Sequence, residues 1–166
     1  HDTYCAGDRV QVGEKSRADL ALVNRPVIRL EQHTTITLAG VREEKRSVIE
    51  LLRGALYFFS RLSGNLEVTT AFVNAGVEGT EGLVKIEADS TLITIFEGKV
   101  VASNAAGSLI LTSGQSAIAR QGSAPVLATV VRPRDAVQWA LYYPPAFDFR
   151  PEIFQNPTWQ AVAAQS

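Results

Sequence analysis

The sequence is poor in the residues that carry most protein chemistry, and each shortage closes off a class of function. One cysteine, Cys5, stands in 166 residues, which excludes an internal disulfide framework and a cysteine zinc cluster. Histidine occurs only at His1 and His33, too few for a multi-histidine metal site. A serine triad would have to rely on His33, and no Gly-x-Ser-x-Gly elbow is present to supply the nucleophile. The 16 Lys and Arg nearly balance the 17 Asp and Glu, for a net charge of -1. The basic excess of an electrostatic nucleic-acid binder is therefore missing. No apolar run reaches the roughly 18 residues that span a bilayer. Methionine is absent altogether and the chain opens His1-Asp2, so a processed or trimmed piece of a longer protein is expected.

What remains is an ordered, apolar chain. It is 46% hydrophobic and 20% charged, against roughly 25% charged for typical soluble domains. Up to about Val131 the dominant period is two. In "VIRLEQHTTITL", Ile28, Leu30, Thr34, Ile36 and Leu38 share one face, while Arg29, Glu31, His33 and Thr35 take the other. This is the pattern of an extended chain with one side buried. "RADLALV" and "LEVTTAF" repeat it, and "TLITIF" is apolar on both faces, which predicts a strand covered on both sides. In all, about a dozen short strands are expected up to Val131, at the spacing of a sandwich, barrel or β-solenoid.

Glycines punctuate these strands. The stretch "NAGVEGTEGLVKI" places Gly76, Gly79 and Gly82 three apart beside Thr80, a density that raises the question of a phosphate cradle. A P-loop needs a wider glycine spacing, then Lys-Ser/Thr opening a helix. Here no lysine follows, and the next segment alternates as a strand. The glycines are expected to turn corners, with Leu83 to Ile86 beginning a new strand.

Glu78, Glu81, Glu87, Asp89 and Glu97 cluster along one stretch, but such carboxylates serve glycoside hydrolysis only when two face each other across a cleft. The mixed run "REEKR" is expected to be a solvated turn between strands. After Val131 the pattern changes. "RPRDAVQWALYYPP" offers Pro133 and Asp135 for a first helical turn, and "NPTWQAVAAQ" offers Asn156 as a cap and Pro157 after it. Two short helices are expected. Seven aromatics, from Trp139 to Trp159, fall within this tail. They would either staple it to the β-domain or form a docking surface, since Trp and Tyr are favoured at interfaces.

Several of the glycine-strand phrases together resemble the FecR family. "AGDRVQVGEKSRADLAL", with Gly7 followed by Asp8, resembles the opening of a FecR-type domain. "LLRGALYF" resembles its Leu-x-x-Gly step at Gly54, and "VEGTEGLVKI" its Gly-Thr step at Gly79 and Thr80. "IFEGKVVAS" and "LTSGQSAIA" resemble its later Glu-Gly-x-Val and Gly-Gln steps at Gly98 and Gly114. The resemblance covers roughly residues 5 to 120, in the family's order. It implies an all-β, β-helix-like module on the outer side of the bacterial inner membrane, in a family whose namesake controls a sigma factor in ferric-siderophore uptake. The chain shows neither a cytoplasmic regulator segment nor a membrane helix, so the iron-signalling role is not carried over. "RPRDAVQWALYYPP" resembles the junction where such a domain precedes helical repeats of tetratricopeptide type.

The expectations are therefore these. Residues 1–131 form an irregular, β-solenoid-like all-β domain, and residues 132–166 a connector with short helices that begins a helical region. The domain is a non-catalytic binding or scaffolding module of the bacterial envelope or periplasm, recognising a protein, peptide or glycan. It uses no cofactor, metal or nucleic acid, and Trp139, Tyr142 and Tyr143 form the docking surface. The rival functions are a periplasmic sensor domain of a sigma-factor-regulating transmembrane protein, and a polysaccharide-acting enzyme built on a β-solenoid.

Overall fold

The alternating segments do become strands, and they join into one sheet. The computed structural model describes residues 2–22, 26–42, 46–59, 66–128 and 159–165. Among the described residues there are 14 strands and no helix. The chain opens with β1 (Asp2–Tyr4), β2 (Arg9–Gln11), β3 (Ser16–Ala21) and β4 (Val27–Leu30). Next come β5 (Thr35–Arg42), β6 (Arg46–Arg53), β7 (Ala55–Phe59) and β8 (Leu66–Thr69). Two long strands follow, β9 (Asn74–Ile86) and β10 (Ser90–Asn104). The remaining strands are β11 (Gly107–Thr112), β12 (Ser116–Arg120), β13 (Val126–Ala128) and β14 (Trp159–Gln165).

The length of β9 and β10 explains how the sheet closes around a core. Residues Asn74–Val77 of β9 lie between β8 and the Val100–Ser103 part of β10. Residues Gly82–Lys85 lie instead between β7 and the Leu92–Ile95 part. The register slips between Ile95 and Gly98, and slips of this kind bend and twist a strand pair. The bent ribbon divides the sheet into two halves. A broad half contains β14, β3, β4, β7, β12 and β13; a narrow half contains β2, β5, β6, β8 and β11. Both halves feed one core, with Leu20, Ile28, Leu30, Phe58 and Ile93 from the broad half, and Ile36, Leu38, Ile49, Val68 and Leu111 from the narrow.

Each passage from one half to the other is a corner, and positive φ marks most of them. Gly54 (φ 90°) joins β6 to β7, Gly98 (φ 113°) sits at the bend of β10, and Gly114 (φ 84°) lies between β11 and β12. Gly7 (φ 93°) turns the chain between β1 and β2, and Gly79 faces Gly98 in register at the bend. Lys15 (φ 56°) and His33 (φ 60°) turn corners without glycine. The Gly54 corner is tied to its neighbour: Thr34 Oγ1 accepts the Ala55 N–H at 3.1 Å and donates to Ala55 O at 3.2 Å. Glycine is needed there for space as well, since a Cβ on Gly54 would lie 2.6 Å from Thr34 Cα.

Several sequence expectations change. The expected solenoid winding is not seen: among the described residues every strand pair is antiparallel except β6 with β8, in place of the parallel stacking of a β-helix. "VIRLEQHTTITL" is two strands in different halves, β4 and β5, broken at a turn where His33 is exposed rather than part of a strand. "NAGVEGTEGLVKI" is a single strand, β9, that bends where a break was expected; strand does follow Gly82. In the tail, the helix expected after Asn156 is replaced by β14, which pairs with β1 and β3. Partners on both sides give its backbone the hydrogen bonds that a short isolated helix must supply for itself. The helix expected within "RPRDAVQWALYYPP" lies outside the described residues. The both-sides burial of "TLITIF" is seen: Ile93, Ile95 and Thr94 are buried and Leu92 and Phe96 half-buried.

Candidate interaction surface

Two outward rows, one on each half, differ in burial. Across the broad half, Asp19, Arg29, Tyr57, Leu83, Thr94 and Ser116 stand side by side, each the register partner of the next. Strand alternation points them away from the core that their neighbours Leu20, Leu30, Phe58 and Val84 fill. An outward row would ordinarily be wet, yet Asp19 is 4% exposed, Tyr57 7%, Leu83 0% and Thr94 1%. Ala55, Tyr57 and Leu83 form a second apolar cluster here, with Phe96 packed against it.

Every polar group named in that row has a partner, as its burial requires. Arg29 donates to Asp19 through two parallel bonds, Nε to Oδ1 at 2.8 Å and Nη2 to Oδ2 at 3.1 Å. The Tyr57 hydroxyl donates to the Glu81 carboxylate at 3.0 Å. The hydroxyls of Thr94 and Ser116 are 2.8 Å apart and hydrogen-bonded. Across the narrow half the corresponding outward row is Thr37, Glu50, Thr69, Asn74, Ser103 and Ser108. All six are half-buried or exposed. The row from Asp19 to Ser116 is thus sequestered, while the row from Thr37 to Ser108 meets solvent.

The residues singled out in the sequence fall in different places. Trp139, Tyr142 and Tyr143 lie outside the described residues. Gly7, Gly54, Gly98 and Gly114 occupy the turn and corners already described, and Gly79-Thr80 lies in the bend of β9. Among the carboxylates, Glu78 meets Lys99 at 3.5 Å in an exposed pair. Glu81 is taken by Tyr57 and stands opposite Glu97 in register. These are ordinary cross-strand partnerships. Among the described residues no group of three His, Cys, Asp or Glu is placed to hold a metal ion, and no helix is long and apolar enough to cross a membrane. The Asp19–Arg29–Tyr57 row is what sequence reasoning missed. Its signal was present: opposite charges at 19 and 29, inside apolar strands and equidistant from Asn24.

Glycine-cornered strands folded around one core define an all-β module, and comparison places it more closely. Residues 8–101, more than half of the chain, match the family described as FecR protein; the chain belongs to that family. The matched segment runs from Asp8, after the first turn, past Gly54, Gly79 and Gly98. Two solved structures share the fold. Each is a crystal structure of a candidate anti-sigma factor from Parabacteroides distasonis, at 2.50 and 1.65 Å resolution. Each is 15% identical to this chain with a TM-score of 0.68, over 80% of this chain and 64% of the other. The chain therefore spans less than two thirds of those proteins. A search of curated proteins found no match.

Proposed function

We propose that the chain is a periplasmic signalling domain of the bacterial envelope, a sensor module whose parent protein acts on a sigma factor. Family membership over residues 8–101 is the observation that carries this reading. Its fold, held in common with candidate anti-sigma factors, supports it. The domain works by binding a protein rather than by catalysis, in keeping with carboxylates that are engaged in cross-strand partnerships. A signalling domain of this kind needs a stable frame and a surface for its partner. The glycine-cornered sheet supplies the frame.

Trp139, Tyr142 and Tyr143 are the docking residues in this reading. The double variant Trp139→Ala/Tyr142→Ala is expected to weaken cross-linking of the parent to its partner in cells at least tenfold, with an unchanged melting temperature, as for buried aromatic anchors. Early melting of the double variant would make these side chains structural staples. The signalling role itself is tested by deleting residues 8–101 in frame from the parent and measuring transcription across the genome. A set of genes served by one sigma factor is expected to change together; an unaltered set would overturn the reading.

A further inference from the structure

We propose that β11 is a pairing edge on which a second copy of this chain docks, strand against strand and antiparallel, about a two-fold axis at Leu109. Among the described residues, β11 ends the narrow half and pairs only with β10. The Asn104–Gly107 pair closes a two-residue hairpin, and antiparallel pairing alternates from there. Gly107, Leu109 and Leu111 turn their backbone groups toward β10, while Ser108, Ile110 and Thr112 turn theirs to the open side. Thr112 is already occupied: its N–H donates to Gln115 Oε1 at 2.8 Å, and its carbonyl accepts from Gln115 N at 3.0 Å. Ser108 and Ile110 thus leave two N–H and two C=O groups without a partner among the described residues.

This short edge is complementary to itself. With the axis at Leu109, Ser108 faces Ile110 of the second copy and Ile110 faces its Ser108, which engages all four open groups of each strand. The two Leu109 side chains then meet on the core side, where Leu109 is partly buried against the core cluster. Ile110, 56% exposed, is covered on the outer side. Natural sheets protect such edges with charge, proline or bulges. The sequence GSLILT has neither charge nor proline, and its pairing with β10 is unbroken, so β11 itself carries none of these devices against a second copy. The contact is small and belongs among weak, transient interfaces. It is independent of the signalling reading.

Sedimentation equilibrium of the whole chain, from micromolar to millimolar concentration, tests the pairing. A monomer–dimer equilibrium is expected. Ile110→Pro removes an outward N–H while sparing the β10 ladder, and proline is tolerated at such edge positions. Ile110→Lys places two like charges at the contact. Each variant is expected to lower the association constant at least tenfold, with the circular dichroism spectrum unchanged. If Ile110→Pro fails to fold, Ile110→Lys carries the test alone. A chain that stays monomeric throughout, or a folded Ile110→Lys variant that dimerises as well as the parent sequence, overturns the proposal.

Discussion

Gly54→Ala is expected to cost the fold about 3–5 kcal/mol, placing it among the most damaging single substitutions. Two effects add at this corner. A side chain at φ 90° meets the steric penalty of left-handed backbone, on the order of 1–2 kcal/mol. The new Cβ would also lie 2.6 Å from Thr34 Cα and 2.8 Å from Thr34 Cβ. Backbone cannot yield as the tip of a flexible side chain can, so the β4–β5 and β6–β7 corners must move apart. That movement would break both hydrogen bonds between Thr34 and Ala55. Gly114→Ala separates the two effects: its φ is 84°, but a Cβ there meets nothing within 4 Å. It should lose only the backbone term, about 1–2 kcal/mol. Urea denaturation of the two variants is the check, and equal losses would show that the Thr34 contact does not matter.

The second large effect is expected at Arg29. Arg29→Ala leaves the Asp19 carboxylate, 4% exposed, without the two bonds that Arg29 donates to it. Removing one partner of a buried pair costs about 3–5 kcal/mol, because the remaining charge stays desolvated. Replacing both partners is a different matter. Asp19→Leu with Arg29→Met puts apolar groups on a face that already carries Leu83, Tyr57 and Phe96, and such exchanges are often neutral or stabilising. The double variant should therefore recover most of the stability that Arg29→Ala loses. A double variant as unstable as Arg29→Ala would mean that this face requires the charge pair itself.

The inward-facing residues were legible in the sequence, but the path of the chain was not. Ile28, Leu30, Thr34, Ile36 and Leu38 are all 0% exposed, as their alternation predicts. Alternation is nevertheless silent about the change of half at His33. Both halves bury the same core, so a chain that turns a corner keeps its inward parity and still looks like one strand. The glycine corners were legible because positive φ has a strong residue preference. Lys15 and His33 adopt it without that signature and passed unnoticed. The tail shows local signals overruled by tertiary context: Asn156 and Pro157 mark a helix start, yet β14 finds strand partners on either side. The buried outer row was hidden for another reason. Whether a polar face is wet depends on what covers it, and Asp19 with Arg29 looks like any solvated cross-strand pair.

The same corner links fold to function. Transcript profiling of cells whose parent protein carries Gly54→Ala tests the signalling role together with the frame that supports it. If the domain signals through its folded sheet, the genes that respond to deletion of residues 8–101 should shift in the same direction in the Gly54→Ala strain, and Gly114→Ala should shift them less. A Gly54→Ala protein that is unfolded in vitro and yet leaves the transcript profile of the unmodified strain would contradict it.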